Sequence, residues 1–364
     1  MATRYPFGND PAKIERYRAW WERRDAGRPL VGLSVKTWFP LQEFGASAAW
    51  QSLDVLTPDM VEPEAFLDDQ ERLLCEGEII GDDILRGASP SQAVPWLDGM
   101  LGATLRILPG SILGVPRARS LPWEALEDIR LDPENPWFGK YIDFIRALVQ
   151  RSAGRYPISH GTLIGPSDMM ALLRGHTQGV MDLVSEPERA RRLLWRCGTL
   201  FREITEEAWR HIPLFHGGYY DAQYQIWAPG PIVRMQEDAS GVLSPRLYRE
   251  FLQPVDRELA GHFANAFIHL HSNAMFLLDL YLEIEEIRAF QVNYEQMSGG
   301  PPVAGMIPHL RKIQRAGRPL LFRGTFTANE LRLLADELDT RGLYLYVMVG
   351  SAEEAAALMP LLGL

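Results

Sequence analysis

The stretch FIHLHSNA (residues 267–274) holds the side chains best suited to chemistry in this chain. His269 and His271 are separated by one residue at the end of an apolar run. In an extended strand residues i and i+2 share a face, so the two imidazoles project side by side. Three uses are open to such a pair. Two neutral imidazoles can share a zinc ion at about 2.0–2.1 Å each, with a third ligand from another strand and an open position for catalysis. One imidazole, poised near neutral pH, can shuttle a proton. Both can also be hydrogen-bonded core histidines with no chemical role.

The choice depends on the elements that carry the pair. Short apolar runs occur at YPISHG (156–161), IPLFHGG (212–218), IVRMQED (232–238), AFIHLH (266–271), IRAFQV (287–292), RPLLFRG (318–324) and LYLYVMVG (343–350). Segments with helical spacing lie between most of them. The helix after Ser244 opens with Pro245 and repeats Leu247, Phe251, Val255 and Leu259 at every fourth residue, with Pro254 expected to kink it. Thr327 and Ser351 each precede a glutamate by three residues, the pattern of a capping box. Near the N terminus, Asp10 caps a helix with Pro11 in its first turn and Ile14, Tyr17, Trp20 and Trp21 as its apolar stripe.

Strands alternating with helices imply a parallel sheet with crossover connections. With RPLVGLSV (28–35) the strands number eight. No glycine-rich nucleotide fingerprint follows the first of them, so the expected fold is α/β, a closed (β/α)8 TIM barrel rather than an open sheet. Residues 1–364 read as one domain, with a helical and loop-rich N-terminal elaboration where Pro, Gly and Trp are frequent and periodicity is weak.

In such a barrel the reactive groups sit at the C-terminal ends of the strands. Those ends place His160, His216, Glu237 with Asp238, His269 with His271, then Gln291, Asn293, Glu295, Arg323 and Met348. His160 and His216 stand alone beside glycines, where a histidine is more often simply hydrogen-bonded. Of the acidic neighbours, Asp238 lies nearer the loop and is the better candidate. Met348 and its aliphatic neighbours read as core.

A net charge of −10 argues against nucleic acid as a partner. No window offers the roughly 18 uninterrupted apolar residues of a membrane span, and the N-terminal stretch lacks a signal-peptide core. Cys75 and Cys197 form no metal or redox motif. A cytoplasmic protein is the expectation.

Several ordered segments together resemble the uroporphyrinogen decarboxylase superfamily. LSPRLYREFLQP followed by a strand ending in HLHSN is similar to that family's L-S-P helix and its strand ending in H-x-C-G-N. GPSDMMALLRGHTQGV resembles its G-P-[FW]-T segment, and IIGDDILRG (79–87) its I-I-x-S-D-I-L segment. The resemblance implies a (β/α)8 barrel and either of two chemistries: decarboxylation of tetrapyrrole acetates, or zinc-assisted methyl transfer between a corrinoid protein and a thiol-type acceptor.

Departures from the family pattern weigh between these. The arginine-rich segment near the first strand is replaced by one offering only Lys36. The family aspartate maps to Asp83, the family tyrosine falls near Leu172, and the late histidine has no counterpart in YVMVGSAEE. Authentic uroporphyrinogen decarboxylation is therefore not expected. The zinc-binding H-x-C of the methyltransferases maps to His269 and His271, a change that keeps a sound zinc donor. Their late cysteine falls close to Met348 and Gly350, and no cysteine follows Cys197, so a carboxylate, Asp238 or Glu237, must complete the site.

The leading expectation is a metal-assisted methyltransferase with zinc on His269, His271 and Asp238 and a corrinoid as possible methyl donor. Asp83, His160 and His216 would line the pocket with Asp238 as proton-handling groups, while Arg323, Gln291 and Asn273 would contact substrate. The partners would be a small molecule or a corrinoid protein, with a homodimer possible. A metal-free lyase using Asp83 and a histidine is the alternative. A third reading is a non-catalytic barrel binding a corrinoid or porphyrin through Trp38, Trp96, Trp137, Trp227, Tyr219 and Tyr220.

Overall fold

The computed structural model describes residues 6–35, 43–90, 94–116, 121–126, 129–296 and 299–364; Lys36 and Trp38 lie outside them. Its strands are β1 (Leu30–Ser34), β2 (Val55–Leu56), β3 (Thr104–Leu108), β4 (Ser111–Val115), β5 (Tyr219–Asp221), β6 (Ile226–Ala228), β7 (Ile232–Gln236), β8 (Asn265–His271), β9 (Ala289–Asn293), β10 (Leu320–Gly324) and β11 (Leu343–Met348). Six of them form one parallel sheet in the order β1-β11-β10-β9-β8-β7, flanked by helices. The fold is α/β, and its strands are buried almost throughout, as a parallel sheet covered by helices requires.

Six of the eight expected strands are these six; YPISHG is met only in part, and the irregular extended segment 83–88, which was not among the expected strands, lies between it and β1. Asp83 N–H bonds to the Val31 carbonyl at 3.1 Å, Ala88 N–H to Pro157 O at 2.9 Å and Ser159 N–H to Ala88 O at 2.8 Å. These bonds run from β1 through residues 83–88 to YPISHG, which contributes only the bridging residue Ile158. IPLFHGG is not a strand. It closes into a tight turn in which Phe215 and Gly218 exchange backbone hydrogen bonds and His216 takes a left-handed φ of 49°. The antiparallel hairpin β5–β6 follows, an element the apolar pattern did not announce. The antiparallel trio β2–β3–β4 belongs to the N-terminal elaboration.

The helix Pro11–Trp21 starts where Asp10 accepts the N–H groups of Ala12 and Lys13 at 2.8 and 3.2 Å. Its Trp20 indole donates to the carbonyl of Leu320, the first residue of β10, so the helix lies against the N-terminal ends of the strands. The segment after Ser244 begins with the hydroxyl accepting Leu247 N–H at 3.3 Å. It widens into a π turn over Tyr248–Leu252 before continuing as Gln253–His262, the disturbance coming just ahead of Pro254, which has no N–H to offer. Thr327 and Glu330 form the reciprocal capping box; Ser351 caps Glu354 N–H, but the Glu354 carboxylate turns to Gly350 N–H instead. The buried apolar side chains join into one contiguous cluster. Among the described residues no helix is long and apolar enough to cross a membrane.

Candidate functional site

In β8, His269 stands in register between Gln236 of β7 and Gln291 of β9, and His271 opposite Asn293. The period of two puts both rings on one face, with centroids 4.6 Å apart and planes at 70°. Asp238 follows the end of β7, and its Oδ1 lies 3.3 Å from His271 Nε2. One ligand atom from each of Asp238, His269 and His271 lies within 4.8 Å of the others.

Each imidazole is held through its Nδ1. His271 Nδ1–H faces both oxygens of Glu295, at 2.8 and 2.9 Å. His269 Nδ1 meets the side-chain oxygen of Gln291 and, at 2.9 Å, the hydroxyl of Tyr224, whose ring stacks on it at 5.5 Å. A carboxamide oxygen only accepts, so Nδ1 carries the proton and Nε2 keeps its lone pair. The amide is oriented in turn by its NH2 group donating to Asn293 Oδ1 at 2.9 Å. His269, fixed at Nδ1 by an oxygen with the Nε2 lone pair kept, is arranged as proteins arrange a histidine for a metal, while His271 Nε2 faces Asp238.

The charges agree with this geometry. Burial drives the His269 pKa down to about 3, so the ring is neutral near pH 7. Hydrogen bonds to Asp238 and then Glu295 raise His271 to about 10. Burial pushes Asp238 up, but the His271 hydrogen bond and nearby positive charges outweigh it and leave its pKa below the ordinary value; Glu295 behaves alike. Two imidazoles and one carboxylate, with neutral His269 offering a lone pair and two carboxylates demanding a cation between them, fit a divalent metal such as zinc.

Asp238 owes its place to the start of helix Pro166–Arg174. Asp168 accepts Ala239 N–H at 2.8 Å and Asp238 N–H at 3.3 Å, and Glu237 in return accepts Ser167 N–H at 2.8 Å. Gly165 makes this clasp possible, since a Cβ there would sit 1.6 Å from the Gln236 carbonyl oxygen. Burial, then the charge of Asp238, push Asp168 up to about 7. Burial also raises Glu237 well above the carboxylate range, with Asp256 and Asp168 adding to it.

Of the other residues singled out from the sequence, Gln291 joins the site and most of the rest are dispersed. Asp83 lies at the N-terminal side of the sheet, bound by both terminal nitrogens of Arg28 (2.5 and 2.9 Å), by Arg16 Nε at 2.9 Å and by Val31 N–H at 2.9 Å. His160 is buried with its ring edge against Trp209 at 5.0 Å, and burial lowers it to about 3. His216 is exposed in its turn, 3.4 Å from the Asn9 carbonyl. Gln291 is fully buried and orients His269. Asn273 is exposed on the 3-10 turn Ser272–Leu277. Arg323 stands in register with Asn293 and Tyr346, its guanidinium 5.6 Å from the Tyr346 ring, and its buried Nε has no hydrogen-bond partner among the described residues. Trp96, Trp137, Trp227 and Tyr220 are core side chains: Trp96 packs on Trp137 at 6.0 Å, and the Trp227 indole donates to Phe215 O.

Sequence reasoning missed Tyr224 and Asp168. Tyr224 arrives on the turn between β5 and β6, where Asp221 accepts its N–H at 2.8 Å and Gln225 adopts a left-handed φ of 52°. Nothing in the local periodicity marks it. Asp168 had a weak signal, an acid in the first turn of a helix opened by Gly-Pro.

No family model matches the chain, and no curated protein matches it. Among solved structures the chain is similar to a methyltransferase from Methanosarcina mazei, at 14% identity over 96% of this chain and 98% of that one, with a TM-score of 0.61. At that identity the likeness is one of fold.

Proposed function

We propose that this protein is a metal-assisted methyltransferase whose metal, most simply zinc, is held by His269, His271 and Asp238. The observation that carries the reading is the convergence of these three side chains at strand ends, with each imidazole anchored at Nδ1 by a side-chain oxygen. The fold shared with a methyltransferase supports it. When bound, such a metal supplies Lewis acidity that lowers the pKa of a coordinated acceptor, here a thiol. Gln291 and Glu295 then hold the imidazoles, Asp168 holds the Asp238 backbone, and the Arg323 guanidinium is the cation offered to an anionic group of the substrate. The methyl donor in this reading is a corrinoid, free or protein-bound. The ion pairs of Asp83 with Arg16 and Arg28 weigh against the lyase alternative, which relies on that carboxylate.

Elemental analysis of the purified protein, with methyl transfer from methylcobalamin to a thiol panel, tests the proposal. About one zinc per chain is expected, falling to background in His271→Ala. A parent protein without stoichiometric metal, or a His271→Ala variant that retains it, sinks the reading.

A further inference from the structure

The helix Pro187–Arg210 carries Arg189, Arg191, Arg192 and Arg196 near its start. With Trp123 and Trp195 they border a cleft of about 560 Å³, which shares no lining residue with the site at His269 and His271. Arg191 is a strut: it donates to the Glu250 carbonyl at 2.8 Å and lies 4.8 Å from the Phe251 ring. The other three are different. Arg189 is half-buried and Arg192 and Arg196 are exposed, and among the described residues their side chains make no hydrogen bond or ion pair, although Glu188 stands one turn ahead of Arg192. No acidic side chain is among the described residues that line the cleft. This placement works against the helix. Spaced three and four residues apart, the three guanidinium groups share one face, where like charges repel. Arg189 and Arg192 also stand close to the helix end that already carries partial positive charge. The chain has a net charge of −10, yet it supplies these cations with no carboxylate. Beside them the Trp195 indole is exposed, and Trp123 is braced by the Arg174 guanidinium 4.2 Å from its ring.

We propose that this cleft binds a nucleoside di- or triphosphate, with the phosphates on Arg189, Arg192 and Arg196 and the base against the indoles of Trp123 and Trp195. The chemistry selects this class over its neighbours. Arg189 and Arg196 are separated by a helix rise of about 10 Å, so their long side chains serve a row of phosphates better than a single carboxylate. The guanidinium fork matches phosphate oxygens in pairs, and every base has a π face that stacks on an aromatic ring. An inorganic anion leaves the indoles bare, and an uncharged aromatic leaves three cations unmatched. A long nucleic acid meets the chain's overall negative charge beyond the cleft. An acidic protein segment brings the charge without the flat ring, and a concave space of 560 Å³ is the size of a small-molecule site. The inference rests on the cleft's own lining and does not require a metal on His269 and His271.

Titration calorimetry at low ionic strength with ATP, tripolyphosphate, adenosine and octaglutamate tests it. ATP is expected to bind at least about tenfold more tightly than tripolyphosphate, the worth of one stacked base, and more tightly still than adenosine. Its affinity should fall as salt is raised, since the cations are exposed. Replacing two of them together, Arg192→Ala with Arg196→Ala, should weaken ATP by about tenfold or more with Tm and zinc content unchanged, because neither side chain has a partner within the chain to lose. Trp195→Ala should weaken ATP several-fold and leave tripolyphosphate as in the parent. ATP binding no tighter than tripolyphosphate overturns the proposal, as does a folded double variant that binds ATP like the parent. Octaglutamate binding more tightly than ATP overturns it in favour of an acidic protein partner. Should the double variant fail to fold, unchanged ATP affinity in Trp195→Ala overturns it instead. Zinc analysis of the same samples separates failure here from failure of the methyltransferase reading.

Discussion

Two carboxylate clusters beside the parallel sheet are compensated in different ways. Beside β1, Asp83 and Asp82 are saturated. Asp83 receives Arg28, Arg16 and Val31 N–H, while Asp82 receives Arg86 at 2.8 Å, Leu33 N–H at 2.7 Å and Ile84 N–H at 3.1 Å. Guanidinium groups cannot lose their charge and backbone N–H groups cannot move away, so these acids are locked. At the C-terminal side, Asp238 and Glu295 face an imidazole, a partner that can give up its proton to a metal. The first arrangement spends its carboxylates on ordering the strand ends. The second keeps them exchangeable, which is what a reactive site needs and a strut does not.

That contrast can be broken by mutation, beginning with the strongest effects. His269→Ala removes the lone pair that Gln291 and Tyr224 prepare, and zinc affinity should fall by roughly three orders of magnitude in a competitive chelator titration. Asp83→Ala strands Arg16 and Arg28 and should cost about 3–5 kcal/mol in denaturant unfolding, with zinc per folded chain unchanged. Loss of metal in that variant would erase the distinction between strut and site.

A carboxyl with neither kind of compensation sharpens the comparison. Asp98 is buried, its Oδ2 has no partner among the described residues, and burial raises its pKa to about 6. Because the folded value lies above the unfolded one, its contribution to stability is fully present below about pH 4 and lost as pH rises through about 6. Asp98→Asn should therefore match the parent near pH 4 and exceed it by about 3 kcal/mol near pH 8 in thermal or urea melts. A parent-like pH profile in the variant would show the carboxyl to be compensated after all.

The smallest expected change concerns orientation alone. Gln291→Leu leaves all three ligands in place but frees the His269 tautomer, and zinc affinity should fall about tenfold with little change in Tm. An unaltered affinity would mean that the hydroxyl of Tyr224 suffices to hold the ring.

What the sequence determined by itself was local. The His-x-His pair is legible as two rings on one face because strand geometry repeats every two residues. Asp10, Ser244 and Thr327 announce helix starts because a cap acts within three residues of itself. Apolar runs revealed the six parallel strands because a sheet covered on both faces must be apolar on both. Only the tertiary structure decided the rest, through pairings between residues far apart in the chain. Asp83 and Asp238 are both acids near strands, yet one meets arginines arriving from residues 16 and 28 and the other an imidazole from residue 271. His216 follows an apolar run but lies in a turn, because Gly217 and Gly218 let the backbone close on Phe215. Tyr224 reaches His269 across 45 residues on a hairpin whose own sequence carries no period. A partner's identity sets a side chain's chemistry, and partners are assigned by packing, which no local pattern encodes.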